Sequence, residues 1–237
     1  MASDGAATGR DRVIGRRTVG VLGGTGPAGR ALAARLASAG HAVLVGSRDV
    51  DRAAEAAGEL RAAWPGHDLA VRGVANMDAA AAELLVLAAP WEPALRMCDE
   101  LAPLAQGKTV ITMANALTRI GTEMSPLTMP RGSVTAEVEA RLPGCRVVGA
   151  FHHLPSGPLS EIDRELGVDV LVCGSAADAR REVIDLLAPV RGIRGVDAGG
   201  LASAGAIEAF TAVLVQINII HRTHSMLRLE GSLDAVS

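Results

Sequence analysis

A glycine-rich turn between an apolar strand and a helix constrains the fold of this chain more than any other feature. The turn covers residues 23–29, directly after the apolar run at residues 18–22. Gly24 permits a tight turn, Gly26 lets the backbone approach a pyrophosphate, and Gly29 lets the helix pack close to the strand. The pattern therefore predicts a strand–turn–helix–strand unit that binds a dinucleotide.

The two ends of this unit indicate which dinucleotide is bound. Pro27 suits the first turn of the helix, whose free N–H groups and partial positive charge attract an anion. Ser47 and Arg48 end the second strand, and Arg52 follows one helical turn later. A hydroxyl and two guanidinium groups suit a 2′-phosphate, so the sequence predicts NADP(H). The alternative is that Arg48 and Arg52 only cap a solvated helix start.

Strand and helix patterns alternate along most of the chain, which is typical of a parallel sheet covered by helices. We predict an α/β, Rossmann-type doubly wound, mostly parallel sheet with a small C-terminal helical lobe. The expected domains are a disordered N-terminal arm at 1–17, an NADP-binding domain at 18–157, and a lobe at 158–237 that closes the substrate cleft. Residues 90–93 are expected to form a turn, and residues 115–131 an irregular segment.

Composition excludes several classes of protein. The chain has 237 residues, a net charge of −3, only 2% aromatic residues and no Tyr, which argues against nucleic-acid binding. Its 3 cysteines lack a CxxC spacing, which favours free thiols in the cytoplasm. The apolar run at 210–220 is too short and too polar to span a membrane. Because that run is apolar on most helical faces, we expect a homodimer that buries part of it.

Five ordered segments together carry a family resemblance. They are GGTGPAGRALAARLASAGHAVLVGSR at 23–48, LLVLAAPWEPAL at 84–95, GSVTAEVEARLPGCRVVGAFHHLP at 132–155, VDVLVCGS at 168–175 and GVDAGGLASAGAIEAFTAVLVQIN at 195–218. This set resembles the F420-dependent NADP reductases (F420H2:NADP+ oxidoreductases), and the likeness covers most of the chain after the N-terminal arm. It is much more specific than the glycine-rich turn alone.

The resemblance implies hydride transfer between C4 of the nicotinamide and C5 of the deazaflavin coenzyme F420. For NADP(H), it implies that the pyrophosphate lies on Thr25, Gly26, Pro27 and Ala28, that the 2′-phosphate lies on Ser47, Arg48 and Arg52, and that the nicotinamide lies beside Ala89, Pro90 and Trp91. For F420, it implies that the deazaflavin lies on His152, Leu154, Pro155 and Ser156. Met226 would then belong to a C-terminal segment that closes the site.

Several residues keep a second interpretation. His152 is the candidate catalytic residue, as a hydrogen-bond partner of the deazaflavin, or it is a strand-end histidine bonded to backbone. Asn115 binds a cofactor at the end of a strand or shapes a turn. Trp91 stacks on the nicotinamide or anchors a loop in the core. We expect no metal site, because His152 and His153 on a regular strand would point to opposite faces.

Two other functions stay open at this stage. The first is an NADPH-dependent reductase of the same fold that acts on an imine or a carbonyl. Such an enzyme usually needs a proton donor, and without a Tyr the choice falls on His152 or His153. The second is a sensor that binds NADP(H) and regulates a partner without turnover, although a sensor would not need the complete second half of the chain.

Overall fold

The computed structural model describes residues 15–231 and residue 233. Residues 1–14 of the predicted N-terminal arm lie outside these described residues. Arg17, at the end of that arm, forms ion pairs with Glu83 and Glu182. Its backbone N–H also donates to His41 Nδ1 at 3.3 Å. Arg17 is thus anchored to the folded part of the chain.

The secondary structure of the described residues alternates as predicted. The strands are β1 Thr18–Leu22, β2 Ala42–Ser47, β3 Val71–Ala75, β4 Leu84–Leu87, β5 Thr109–Thr112, β6 Leu117–Ile120, β7 Glu123–Pro126, β8 Arg146–Gly149, β9 Val168–Val172 and β10 Ile193–Asp197. The helices are α1 Pro27–Ser38, α2 Val50–Ala63, α3 Asn76–Ala79, α4 Trp91–Leu101, α5 Val134–Arg141, α6 Ser156–Ser160, α7 Ala177–Leu187 and α8 Ala204–His221, with a 3-10 turn at Leu201–Ser203 before α8.

Six of these strands form one sheet in the order β3-β2-β1-β4-β5-β8. All neighbouring pairs in it are parallel. The strand order reverses between β1 and β4, so the loops that leave these two strands border the crevice where open α/β sheets bind ligands. Strands β4 and β5 are buried along their whole length, as the central strands of a doubly covered sheet should be. The predicted Rossmann-type fold is confirmed.

Two local predictions were wrong. The segment 115–131 is not irregular throughout, because β6 and β7 form an antiparallel hairpin in it, with Ile120 opposite Glu123. Gly121 has φ +60° in the two-residue turn, a conformation that suits glycine. Residues 90–93 are not a simple turn, since α4 already begins at Trp91. Pro93 is tolerated there because the first helical turn needs no backbone donor.

The C-terminal part packs onto the main sheet instead of standing apart from it. Strands β9 and β10 form a parallel pair, and an antiparallel bridge between Gly149 and Cys173 joins β9 to β8. The guanidinium of Arg35, on α1, is fully buried and donates to the backbone carbonyls of Pro158, Leu159, Glu161, Ile162 and Arg164. These bonds attach residues 158–164, just past the predicted domain boundary, to the helix of the glycine-rich turn.

Helix α8 packs on strand β7 and on helix α5. The prediction that its apolar run is too short and too polar to span a membrane was wrong, because, with the turn before it, Leu201–His221 is long and apolar enough, and 33% of the qualifying 18-residue window is buried. A single helix of this kind is weak evidence for a membrane span. Its inner face carries Ile207, Glu208 and Thr211, which are buried against the rest of the chain. Its outer face exposes Val213 and Ile220.

Candidate functional site

The glycine-rich turn is built by backbone contacts that exclude larger residues. Gly23 has φ +70°, and the Gly24 N–H donates to the Gly46 carbonyl at 2.9 Å. A Cβ on Gly24 would lie 2.6 Å from the Val21 carbonyl oxygen, and a Cβ on Gly29 would lie 2.7 Å from the Gly24 Cα. The turn therefore packs tightly on β1 and β2, as the sequence predicts.

The mouth of the turn, in contrast, is open. A Cβ on Gly26 would meet only the Gly23 carbonyl oxygen, 3.9 Å away. Gly26 is the N-cap of α1 and has no side chain to accept hydrogen bonds from the first turn, where Pro27 lacks an N–H. The N–H groups of Ala28 and Gly29 lie in the first helical turn, where no preceding carbonyl of the helix pairs with them, and such groups suit an anion. Thr25 and Ala28 are half-buried at its edge.

Asn76, which follows β3 on the far side of β2, holds the same turn, and sequence reasoning missed it. It is buried, and its Oδ1 accepts a hydrogen bond from the Gly23 N–H at 2.9 Å. A buried Asn directly after a parallel strand is the signal that could have identified it. Its bond stabilises the left-handed conformation of Gly23, where the phosphate turn begins.

Positive charge is available at the end of β2. Ser47 is buried, and its Oγ accepts from the Asp49 N–H at 3.2 Å. Arg48 and Arg52 are exposed, and neither side chain forms an ion pair with another described residue. Asp49 also caps α2, since its carboxylate accepts from the Asp51 and Arg52 N–H groups. Two guanidinium groups thus remain for an anionic ligand.

The β4 exit lies directly beside the glycine-rich turn. A Cβ on Gly23 would be 3.1 Å from the Ala89 Cβ, so the loops after β1 and β4 meet at the reversal of strand order. Pro90 is exposed there. Trp91 is half-buried and packs against the hydrophobic cluster on one face of the sheet. The indole therefore anchors the start of α4 next to the crevice.

The segment after β8 turns sharply at the same edge of the sheet. Phe151 is buried with φ +66°, a left-handed conformation that costs free energy in a residue with a bulky side chain. The His152 carbonyl accepts hydrogen bonds from Asn115 Nδ2 at 3.2 Å and from Thr211 Oγ1 at 3.3 Å. Thr211 Oγ1 also lies 3.1 Å from Asn115 Oδ1. Asn115 thus shapes this turn from the end of β5.

The His152 ring is buried. Neither ring nitrogen is exposed or meets full hydrogen-bond geometry with a described residue, although the Ala114 carbonyl lies near enough to act on the pKa of the ring. Burial, with the neighbouring His153 adding to it, lowers the pKa of His152 to about 3, although the nearby Ala114 carbonyl opposes part of the shift. The imidazole is therefore neutral at physiological pH, with one donor and one acceptor on its ring.

His153 has a different role from His152. Its Nε2 lies 2.7 Å from the Ile207 carbonyl of α8, and Phe210 packs edge-on against its ring at 5.6 Å between centroids. Because β8 ends at Gly149, the expected alternation along a regular strand does not apply to the two histidines. Their ring centroids are 6.5 Å apart. Within residues 15–231 and 233, no cluster of three or more His, Cys, Asp or Glu side chains offers a metal site.

Glu208 is a buried carboxylate that sequence reasoning also missed. It accepts from the Val134 N–H at 2.7 Å and from the Thr135 N–H and Oγ1 at 2.9 and 2.7 Å. These bonds place a negative charge at the N-terminus of α5, beside the Ser133 cap that the sequence predicts. Burial raises the pKa of Glu208, and the bonds from Thr135 and Val134 oppose the shift. A single charged residue in an apolar helix was the available signal.

The remaining predicted residues surround the same turn. Leu154 is buried, while Pro155 and Ser156 are half-buried at the start of α6. Met226 packs against the hydrophobic cluster that includes Phe151 and Leu154. Cys98 is a poor nucleophile, because burial raises the pKa of its thiol to about 12.

Comparison with known proteins agrees with this geometry. Residues 18–116 match the family described as NADP oxidoreductase coenzyme F420-dependent. The F420-dependent NADP reductase of Methanocaldococcus jannaschii is 34% identical over 210 residues, which cover 86% of this chain and 94% of the relative. The chain belongs to the F420-dependent NADP reductase family. The reductase of Methanothermobacter thermautotrophicus is 32% identical over 87% of this chain and 91% of its own length.

Solved structures support the same assignment. A crystal structure from Arthrobacter sp. FB24, provisionally described as an F420-dependent NADP-reductase, superposes with a TM-score of 0.74 and 26% identity, covering 89% of this chain and 96% of the other. An imine reductase from Bacillus cereus gives a TM-score of 0.57 at 20% identity, over 87% of this chain and 61% of the other, which shows a shared fold alone. The reductase family match thus extends beyond the dinucleotide-binding half.

Proposed function

We propose that this chain is an oxidoreductase that transfers hydride between NADP(H) and coenzyme F420. The observation that carries the proposal is the meeting of three segments at one edge of the sheet: the glycine-rich turn, the β4 exit and the turn after β8. The first two are in contact through Gly23 and Ala89. The third is attached to the end of β5 through Asn115.

NADP(H) suits the first half of this site. The open mouth at Gly26 and the free N–H groups of α1 suit a pyrophosphate, and we assign the contacts to Gly24, Thr25, Gly26, Pro27, Ala28 and Gly29. Ser47, Arg48 and Arg52 would hold the 2′-phosphate, since a charge-assisted bond to phosphate is stronger than one to a ribose hydroxyl. Ala89, Pro90 and Trp91 would border the nicotinamide.

The deazaflavin suits the second half. Leu154, Pro155, Ser156 and Met226 offer small and apolar surfaces to a flat ring, and His152 lies buried in the same turn. Asn115 contributes by holding the His152 carbonyl. We propose that the described part of the predicted lobe, residues 158–231, closes this side of the cleft, with α8 and the segment after it as walls; residues 232 and 234–237 of that lobe lie outside the described residues.

The two coenzymes supply the chemistry, because a hydride passes directly between nicotinamide C4 and deazaflavin C5. The chain has to hold both rings at van der Waals distance and keep water out, and this proximity accounts for much of the rate. His152 contributes a hydrogen bond to the polar edge of the ring as a neutral imidazole. Its pKa of about 3 makes it a poor proton donor at neutral pH.

The same argument weakens the alternative of an imine or carbonyl reductase. Burial lowers the pKa of His152 and of His153, and His153 is committed to the Ile207 carbonyl. Neither suits the general acid that such a reaction needs. The sensor alternative is also weaker, because the alignments with the two curated reductases cover 86% and 87% of the chain.

An isotope experiment tests the proposed transfer. The protein is incubated with F420 and NADPH deuterated in turn on each face of C4. Deuterium from one of the two labels should appear at C5 of the reduced deazaflavin, because the transfer is direct and stereospecific. NADPH oxidation without any label in F420 would contradict direct transfer.

We further propose a cytoplasmic homodimer. The 3 cysteines are free thiols, as a reducing compartment would keep them. The outer face of α8 and strand β7 border an apolar groove of about 570 Å³, lined by Phe210, Val213, Ile217 and Ile220. Burying this face in a second copy would remove the exposed apolar surface.

Light scattering tests the proposed dimer. The measured mass should be twice the chain mass at micromolar concentration, and Val213→Glu should lower it to the mass of one chain. A monomeric unmutated protein would contradict the proposal.

A further inference from the structure

The chain after α8 runs back over the turn that carries His152. Arg222 has φ +52°, which ends the helix in a left-handed cap. Ser225 is then attached to the helix, since its N–H and Oγ both donate to Asn218 Oδ1, at 2.6 and 2.7 Å. Next to it, His224 lies near α6, where a Cβ on Gly157 would be 3.7 Å from its Nε2. The two bonds from Ser225 to Asn218 are the first of two anchors on the segment 225–229.

The second anchor is Asp169, in β9. Its backbone N–H donates to the Leu227 carbonyl at 2.8 Å, and its Oδ2 accepts from the Leu229 N–H at 2.6 Å. Arg194, on the neighbouring β10, donates two hydrogen bonds to the carboxylate, from Nε at 2.7 Å and from Nη2 at 2.8 Å. Arg194 Nη2 also donates to the Leu229 carbonyl at 2.9 Å. Asp169 and Arg194 thus bind the backbone of the segment at Leu227 and at Leu229, on both sides of Arg228.

Met226 lies between the two anchors. Ser225 precedes it and Leu227 follows it, so its backbone is held on both sides. The side chain packs against the cluster that contains Phe151 and Leu154. Asp169 itself is only 3% exposed and lines a small void together with His152 and Leu154. The Asp169–Arg194 ion pair and the Ser225–Asn218 bonds therefore fix the backbone on both sides of Met226, the residue proposed to close the deazaflavin site.

We propose that Asp169 and Arg194 are positioning residues for the second substrate, which act by holding the segment 225–229 as a wall of its site. This inference rests on the proposed function, because the wall matters only if a second ring binds there. A bidentate Arg–carboxylate pair suits this role, since its geometry fixes direction as well as distance. The dinucleotide half of the site has no contact with the pair, so NADPH binding should not depend on it.

The test uses Asp169→Asn, which keeps the shape of the side chain and removes its charge. Hydrogen exchange at the Leu229 amide should accelerate by about tenfold or more, because that N–H donates to the Asp169 carboxylate, which the substitution replaces with a neutral amide. The KM for F420 should rise about tenfold, the scale of one lost charge-assisted bond. The calorimetric Kd for NADPH should stay within about twofold of that of the unmutated protein.

Two further variants separate positioning from general stability. Asp197→Asn removes the analogous pair with Arg180, formed at 2.7 Å on the next strand, and should change neither exchange at Leu229 nor the KM for F420. Asn218→Ala removes the first anchor and should reproduce the KM effect of Asp169→Asn. A faster exchange at Leu229 with an unchanged KM for F420 would overturn the proposal, and so would unchanged exchange. An unmutated protein that fails to reduce F420 overturns the proposed function instead, and this appears before any substitution is made.

Discussion

The two halves of the candidate site differ in the chemical groups that form them. The dinucleotide half consists of backbone: glycines that tolerate close approach, free helix N–H groups, and a loop closed by the bond between Gly24 and Gly46. The second half consists of small and apolar residues around the turn after β8, and buried polar side chains of α8, Thr211 and Glu208, hold that turn and the start of α5. A backbone cradle needs little beyond its own sequence, whereas the second half exists only when α8 is in place. Substitutions in the two halves should therefore have separable effects.

The largest effect is expected from filling the second half. Ser156→Trp places a large ring at the start of α6, where a small side chain now borders the proposed deazaflavin site. F420 reduction should be abolished, while NADPH affinity by calorimetry should stay unchanged because the phosphate contacts lie elsewhere. Ser160→Trp, at the exposed end of the same helix, is the control and should keep full activity. Normal F420 reduction by the Ser156 variant would show that the second half is misplaced.

The next effect should be confined to the dinucleotide half. Arg48→Ala should weaken NADPH binding by about 1.5–3 kcal/mol, the scale of a hydrogen bond to a charged group. NADH binding should barely change, because NADH has no 2′-phosphate. Arg181→Ala removes an equally exposed arginine on α7 and serves as the control. Equal losses for both dinucleotides in calorimetry would exclude a 2′-phosphate role for Arg48.

A smaller effect should come from the hydroxyl that holds the turn after β8. Thr211→Val leaves the Asn115 oxygen and the His152 carbonyl with one donor fewer, which costs about 1 kcal/mol of stability for a neutral hydrogen bond. The rate of F420 reduction should fall by about fivefold to tenfold at unchanged NADPH affinity, because 1.4 kcal/mol corresponds to a factor of 10. Thr211→Ser keeps the hydroxyl and should restore the rate. Equal rates in the Val and Ser variants would show that Thr211 contributes packing alone.

A change of pH should have the smallest effect on activity through His152, but a clear effect on the free energy of unfolding. The pKa of His152 is lowered to about 3 in the folded chain, so below pH 6.5 the unfolded state binds a proton that the folded state does not. Stability therefore falls as pH decreases, by about 2 kcal/mol from this group between pH 8 and pH 5. His152→Gln should show a shallower loss by that amount in urea unfolding at the two pH values. An unchanged slope would contradict a neutral, buried His152.

The sequence predicted the fold and the glycine-rich turn because their determinants are local. The turn and the Ser133 cap each depend on residues within one short segment, and the alternation of strands and helices defines the fold; the roles of the individual site residues stay predictions. The second half depends on contacts across long separations, such as Thr211 with Asn115 and Glu208 with Thr135. No local sequence pattern predicts those partners. The hairpin at 117–126 was missed because its strands are short and polar, and Asn76 because its partner Gly23 lies two strands away in sequence.

The most direct test of the account is a single turnover with one variable, the dinucleotide. The protein is loaded with a stoichiometric amount of NADPH or of NADH, mixed with oxidised F420, and followed by the visible absorbance of F420. We predict that F420 is reduced by NADPH, one equivalent for each equivalent oxidised, and that NADH at the same concentration is much slower. Tight NADPH binding with unchanged F420 absorbance would contradict the account, because the two halves would then not form one hydride-transfer site.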